Sequence, residues 1–152
     1  MESQPDETVH DSPKGWVADH IDDYVSSGGE KGHRWRGVET LLLTTRGRKT
    51  GKLRRTALIY GKSGPDFVVV ASYGGAPRHP EWYLNLVANP EVRIQAGPDV
   101  FDGVARTATG EERSRLWEMM SQIWTDYPSY QKRTTREIPV VVIEIADDAD
   151  HA

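Results

Sequence analysis

Apolar positions repeat with two different periods along the chain. From Trp16 to Val25 they recur at helical spacing with aspartates on the other side, which predicts an amphipathic helix. Three short apolar stretches follow, Glu39–Thr45, Leu53–Tyr60 and Phe67–Ser72, with glycine-containing turns between them, and these predict β-strands. Because the connections are too short for crossover helices, the strands are predicted to run antiparallel.

The second half of the chain alternates between helices and strands. A helix is predicted to begin at Pro80, and Thr109 with Glu112 has the spacing of a capping box that opens the longest helix. The apolar stripe of that helix continues as far as Tyr127. The predicted strands of this half are Glu91–Ala96, Val100–Ala108 and Ile138–Ile145.

The element order α-βββ-α-ββ-α-β predicts an α+β fold that is mainly β. About six antiparallel strands with packed helices suggest a small closed or split barrel. A single domain is predicted over residues 15–146. Residues 1–14 are acidic and polar and are interpreted as a disordered lead-in, and the charged residues 147–152 as a mobile tail.

Composition narrows the chemistry. The chain has no cysteine, which excludes disulfides, thiolate catalysis and thiolate metal sites. The five histidines are scattered without a ligand pair, so no metal site is predicted. No apolar run approaches the roughly 20 residues of a membrane span, and no signal-peptide core is present, so a cytoplasmic location is expected.

Positive charge is concentrated in one short segment. Six of the ten residues from Arg46 to Arg55 are basic, although the 152-residue chain has a net charge of −4. The remainder carries 13 basic and 23 acidic residues, and this excess of negative charge disfavours nucleic acid. The segment is either a solvated turn or a site for an anionic partner.

Familiar catalytic and nucleotide motifs are absent. The segment from Gly47 to Lys52 lacks the spacing of a phosphate loop, and the sequence has neither GxGxxG nor GxSxG. A basic hairpin, a small-residue loop at Ala71–Gly75 and an aromatic helix start at Trp82 and Tyr83 remain. Together they suit a ligand that is flat at one end and polyanionic at the other.

Three segments carry a family resemblance: LLLTTRGRKTGKLRRTAL, VVASYGGAPRHPEWYLNLVANPEVRIQ and YQKRTTREIPVVV. From about Trp16 to Ile145 the chain resembles the deazaflavin-dependent nitroreductases, also described as quinone reductases. The resemblance implies a split β-barrel that binds coenzyme F420, whose deazaflavin ring carries a phosphodiester and an oligoglutamate tail. It also implies hydride transfer from the reduced cofactor to a small electrophilic acceptor such as a quinone, enone or nitro compound.

Two alternatives stay open beside this reading. One is an FMN-dependent oxidoreductase on the same fold, and the other is a non-catalytic cofactor or lipid carrier. A monomer or weak homodimer is expected.

The resemblance also implies the site residues. The cofactor contacts fall on the hairpin, the strand after it, a loop and a helix: Arg48, Lys49, Thr50, Arg54, Arg55, Thr56, Ala57, Leu58, Val70, Ala71, Ser72, Tyr73, Glu81, Trp82, Tyr83, Leu84 and Asn85. Tyr127 or Tyr130 falls near the reactive face, where it would orient the acceptor or donate a proton. Ala57 stands where many relatives have proline, and Tyr73 replaces a lysine or asparagine.

Overall fold

The structure is a computed structural model that describes residues 9–11 and 15–145. Its strands are β1 (Val9–Asp11), β2 (Arg34–Trp35), β3 (Val38–Arg46), β4 (Leu53–Ile59), β5 (Gly61–Ser63), β6 (Asp66–Val70), β7 (Glu91–Ala96), β8 (Asp99–Thr107) and β9 (Val140–Ile145). Its helices are α1 (Gly15–Ser26), α2 (Glu81–Ala88), α3 (Gly110–Ile123) and α4 (Tyr127–Lys132), with a 3₁₀ turn at Tyr73–Gly75.

The strands form one open sheet in the order β1-β4-β3-β7-β8-β9-β6-β5, with β2 paired to β3. All pairs are antiparallel except β1 with β4, which is parallel. The mainly β architecture with packed helices agrees with the sequence prediction. The described residues contain nine strands rather than six, because β1, β2 and β5 are only two or three residues long and too short to show an alternating pattern.

One face of the sheet curls around a central core. Leu43 of β3, Val69 of β6, Ile94 of β7 and Ile143 of β9 belong to a single buried cluster, although their strands are spread across the sheet. The opposite face is covered by helices. Helix α1 packs on Leu42 of β3, and α3 and α4 pack on the outward residues of β6 and β9. The curl leaves an opening beside β4, where the candidate site lies.

Three local predictions differ from the structure. Residues 9–11 form a strand rather than part of a disordered lead-in, because β4 offers them a free edge; the rest of 1–14 and residues 146–152 lie outside the described residues. Thr109 occupies the N-cap position of α3 but makes no capping hydrogen bond. The Glu112 carboxylate instead accepts two hydrogen bonds from Arg106 of β8, at 2.6 and 2.9 Å.

The long apolar stripe is divided between two helices. Helix α3 ends at Ile123, Trp124 adopts an extended conformation, and α4 begins at Tyr127. Pro128 explains the break, since proline in a helix interior removes a hydrogen bond and clashes with the preceding turn, whereas it is tolerated in a first turn. None of the four helices in the described residues has the length and apolarity needed to cross a bilayer.

Candidate functional site

A cleft of about 700 Å³ lies where the sheet opens beside β4. Its walls come from β4, the turn between β3 and β4, the loop after β6 and the start of α2. Most of the residues implied by the family resemblance line it: Arg48, Lys49, Thr50, Arg54, Arg55, Thr56, Ala57, Leu58, Val70, Ser72, Tyr73, Glu81, Trp82 and Asn85. Segments that are far apart in the sequence therefore meet around one cavity.

Strand β4 gives the cleft two chemically different ends. Arg54 pairs with Thr45 of β3, and Thr56 pairs with Leu43. Leu43 and Leu41, which share a face of β3 with Thr45, belong to the central core. Alternation along the strand therefore directs Arg54, Thr56 and Leu58 toward the inside of the curl. Arg54 and Leu58 are four residues apart, or roughly 13 Å along an extended strand. The lining changes from basic to apolar over that distance.

The hairpin turn is fixed to α2 by polar contacts. The Arg48 guanidinium donates to Glu81 Oε2 at 2.7 Å and to Asn85 Oδ1 at 2.8 Å, and the Arg48 backbone N–H donates to the same Asn85 oxygen at 3.2 Å. Asn85 is only 6% exposed. The hydrogen bond from Arg48 holds the pKa of Glu81 below its ordinary value. Arg48 therefore positions the turn, and its charge is already opposed by a carboxylate.

The remaining basic residues of the cleft differ in how they are paired. Arg55 forms a two-pronged ion pair with Asp11 of β1, at 2.6 and 3.1 Å. Lys49 and Arg54 are exposed, and neither has an ion-pair partner within 4 Å among the described residues. Of the predicted anchors, these two are the best placed to bind an anionic ligand.

The loop after β6 has an unusual backbone. Tyr73, Gly74 and Gly75 have φ values of 47°, 63° and 81°, in the left-handed region that glycine tolerates and tyrosine rarely adopts. Gly75 also packs closely on α4, since a Cβ there would lie 2.5 Å from the Tyr130 carbonyl oxygen. Strain of this kind persists only where the surroundings fix the conformation.

Arg136 fixes that conformation from the segment before β9. Its guanidinium donates to the carbonyl oxygens of Ser72 at 2.7 Å, Ala76 at 2.9 Å and Ala71 at 3.3 Å. It also donates to His79 Nδ1 at 3.0 Å. Burial and, secondly, the Arg136 charge lower the pKa of His79, which favours the neutral imidazole that accepts this bond. One side chain thus joins both ends of the loop that carries Ser72 and Tyr73.

The structure does not bring three of the implied cofactor residues to the cleft. Ala71 is fully buried beneath the loop. Tyr83 and Leu84 lie on α2 away from the face that presents Glu81, Trp82 and Asn85, as the helical period requires. The Tyr83 hydroxyl instead contacts Thr107 Oγ1 of β8 at 2.8 Å.

The two candidate tyrosines lie on α4, behind the loop. Tyr127 is 4% exposed within the cluster beneath α3, and burial raises the pKa of its hydroxyl. Its ring centroid lies 6.1 Å from that of Tyr130. The Tyr130 hydroxyl accepts a hydrogen bond from Trp124 Nε1 at 3.4 Å. Neither side chain lines the cleft, so their part in the chemistry stays a prediction.

Six lining residues were not among those implied by the family resemblance, although Gly74 belongs to the small-residue loop noted in the sequence: His10, Asp11, Thr45, Gly47, Gly74 and Pro80. Thr45 and Gly47 adjoin the predicted hairpin and could have been found from the register of β3 with β4. His10 and Asp11 could not, because a three-residue strand leaves no pattern in the sequence.

The sequence and the fold of this chain are similar to those of known proteins. Residues 16–145 match the sequence model of the F420H(2)-dependent quinone reductases. An F420H(2)-dependent quinone reductase of Mycobacterium tuberculosis is 43% identical over 124 residues, covering 79% of this chain and 83% of that protein. The solved F420-H2 dependent reductase FDR-A has 42% identity and a TM-score of 0.65, covering 69% of this chain and 93% of that one.

A further solved structure, a domain-swapped dimer, has 37% identity and a TM-score of 0.69 and covers 88% of this chain and 100% of its own. The family match extends over the turn between β3 and β4, β4, the loop after β6 and the start of α2, which line the cleft. The chain belongs to the F420H(2)-dependent quinone reductase family.

Proposed function

We propose that this protein catalyses the F420H2-dependent reduction of a quinone-type acceptor and that the cleft beside β4 binds the cofactor. The observation that carries the assignment is the two-ended lining of the cleft within a chain of this family. Exposed Lys49 and Arg54 lie at one end, and Leu58, Val70 and Trp82 contribute apolar surface. A flat ring with a long anionic tail needs both kinds of surface.

The residues present fit such a cofactor. Lys49, Thr50 and Arg54 would hold the anionic tail through charge-assisted hydrogen bonds. Leu58 on one side and Trp82 on the other would enclose the ring. Two of the lining residues, His10 and Thr45, each also carry a buried polar atom that has no hydrogen-bond partner among the described residues. Unpaired buried polar atoms in a cavity are expected where a ligand supplies the partner.

When bound, the reduced deazaflavin supplies the hydride that reduces the acceptor. The protein's own residues bind, orient and exclude water. Trp82 and Val70 provide apolar surface around the reacting end, and the Arg136-clamped loop sets the position of Ser72 and Tyr73. Tyr130, half-buried behind Gly75, would orient the acceptor or deliver the proton that completes the reduction.

Three further features belong to the proposal. The open, curled sheet is a split barrel, supported by the strand order and by the approach of β4 to β6. The protein acts in the cytoplasm on a small molecule. It is a monomer or weak homodimer, although one solved relative is a domain-swapped dimer.

Separate titrations of the purified protein with F420 and with FMN test this assignment. We expect F420 to bind more tightly, with an affinity that falls as salt rises, because its longer anionic tail engages the basic turn. Reduced F420 should then be oxidised when a quinone is added. Equal or tighter binding of FMN would favour a flavin enzyme, and cofactor binding without acceptor-dependent oxidation would favour a carrier.

A further inference from the structure

Strand β1 places a histidine in the cofactor cleft from outside the family-matched region. The family match begins at residue 16, whereas β1 consists of Val9–Asp11. His10 pairs in register with Arg54 of β4, and Arg54 pairs with Thr45 of β3. These three residues thus form one row across three adjacent strands, and all three line the cleft.

Both residues that flank Arg54 carry unused hydrogen-bonding atoms. Nε2 of His10 and Oγ1 of Thr45 are buried and have no hydrogen-bond partner among the residues that the structure describes. Thr45 is 1% exposed. Buried polar atoms normally have a hydrogen-bond partner. Two unpaired atoms on either side of one guanidinium therefore indicate a ligand that would supply the missing hydrogen bonds.

The chemistry of the row selects an oxyanion. A guanidinium has only donors, and a hydroxyl and an imidazole N–H can both donate, so the row can present donors alone. The nearby Asp11 carboxylate, which also lines the cleft, does not oppose this, because its ion pair with Arg55 at 2.6 Å neutralises it. A cation would meet the Arg54 charge and is disfavoured.

We propose that His10 binds an oxyanion of the cofactor tail together with Thr45 and Arg54. The inference rests on the proposed function, since the tail of F420 supplies the oxyanion, either from its phosphodiester or from its glutamate carboxylates. It extends the site beyond the family-matched residues and gives β1 a role in binding.

Fluorescence titration with F420 tests the inference with three variants. His10→Leu keeps an apolar body but removes the donor, and we expect its Kd to rise about tenfold, as for a lost hydrogen bond to a charged group. His10→Gln retains a donor and should recover most of that loss. Val9→Ala, on the same strand, is the matched control for weakened strand docking and should bind F420 as the wild type does.

Thr45→Val gives a readout that a packing role would not produce. Without cofactor the variant should melt at a higher temperature than the wild type, because an unpaired buried hydroxyl is replaced by a methyl group of the same shape. Its affinity for F420 should nevertheless fall several-fold. The two changes therefore have opposite signs.

Truncated cofactors identify the oxyanion. If the His10→Leu effect persists with an analogue that ends at the phosphate, the phosphodiester is the partner; if it disappears, the glutamates are. Normal F420 binding by a folded His10→Leu would overturn the inference, whatever the result for Thr45→Val, and leave the proposed function intact. Failure of the wild type to bind F420 would overturn both. Should His10→Leu not fold, Thr45→Val decides alone.

Discussion

Replacing Arg136 with alanine tests whether the cleft is shaped by a residue that does not line it. The variant loses four hydrogen bonds, to three carbonyl oxygens and His79 Nδ1. At about 0.5–1.5 kcal/mol for each, the sum is roughly 2–6 kcal/mol. The guanidinium and its loop are half-buried, so water replaces part of the loss, and we expect the free energy of unfolding to fall by about 2–3 kcal/mol.

Binding should weaken as well. Without the guanidinium, the turn at Tyr73–Gly75 keeps its own backbone hydrogen bonds, from Gly75 N–H to Ser72 O at 2.9 Å and from Ala76 N–H to Tyr73 O at 3.0 Å. It loses the side chain that ties Ser72 and Ala76 to the segment before β9, so its left-handed backbone is freer to relax. Ordering the loop again on binding would then reduce the affinity for F420 by about tenfold, or 1.4 kcal/mol. Arg136→Lys should restore little, because one ammonium cannot reach all four acceptors.

Urea unfolding and F420 titration at 25 °C measure the two effects. Arg93→Ala is the matched control, since it removes a guanidinium from an exposed ion pair with Asp102 on a strand outside the cleft. Its effect on stability should be below about 1 kcal/mol. If Arg136→Ala unfolds and binds F420 like the wild type, the loop holds its shape without the clamp and the reasoning fails.

Three other outcomes are expected. Lys49→Ala and Arg54→Ala should each weaken F420 binding by roughly 1.5–3 kcal/mol in calorimetric titrations. Both should leave thermal stability nearly unchanged without cofactor, because the side chains are exposed. In stopped-flow assays Tyr130→Phe should slow acceptor-dependent oxidation of reduced F420 several-fold at an unchanged Kd, with a smaller effect for buried Tyr127→Phe; wild-type rates in both would assign them to packing. Burial and Arg136 lower the pKa of His79, so its contribution to stability is complete above its ordinary pKa of 6.5 and is lost as pH falls from there to the folded value. The free energy of unfolding of His79→Gln, taken from unfolding curves at several pH values, should therefore change less over that pH window than that of the wild type.

The longer elements follow from the sequence because their patterns are long enough to read. Strands β3 and β4 are nine and seven residues long, each with an apolar stretch that marks it in the sequence, and residues of the basic turn between them line the cleft. The three-residue β1 and β5 depend on edges created elsewhere in the sheet, so no local signal announces them. Arg54 lies on the long strand β4, so its orientation follows from the alternation of side chains. His10 lies on β1, so its position depends on how that short strand docks on β4.

The roles of individual side chains are harder to predict than their location. Arg48 and Arg54 look alike in the sequence, yet Arg48 is held by Glu81 and Asn85 and Arg54 has no ion-pair partner within 4 Å among the described residues. The partners of Arg48 lie more than thirty residues away. A hydrophobic stripe similarly predicts that Tyr127 is helical but not that Pro128 divides the helix.

This division among the basic residues bears on how the cleft would bind its cofactor. Arg48 and Arg55 are already ion-paired with Glu81 and Asp11. The number of charges available to an anion is therefore smaller than the sequence count, and the salt dependence of binding should be correspondingly shallow. The paired residues contribute differently. By fixing the turn and β1 before the ligand arrives, they reduce the conformational entropy that binding must remove, so a few exposed donors can suffice for a tight complex.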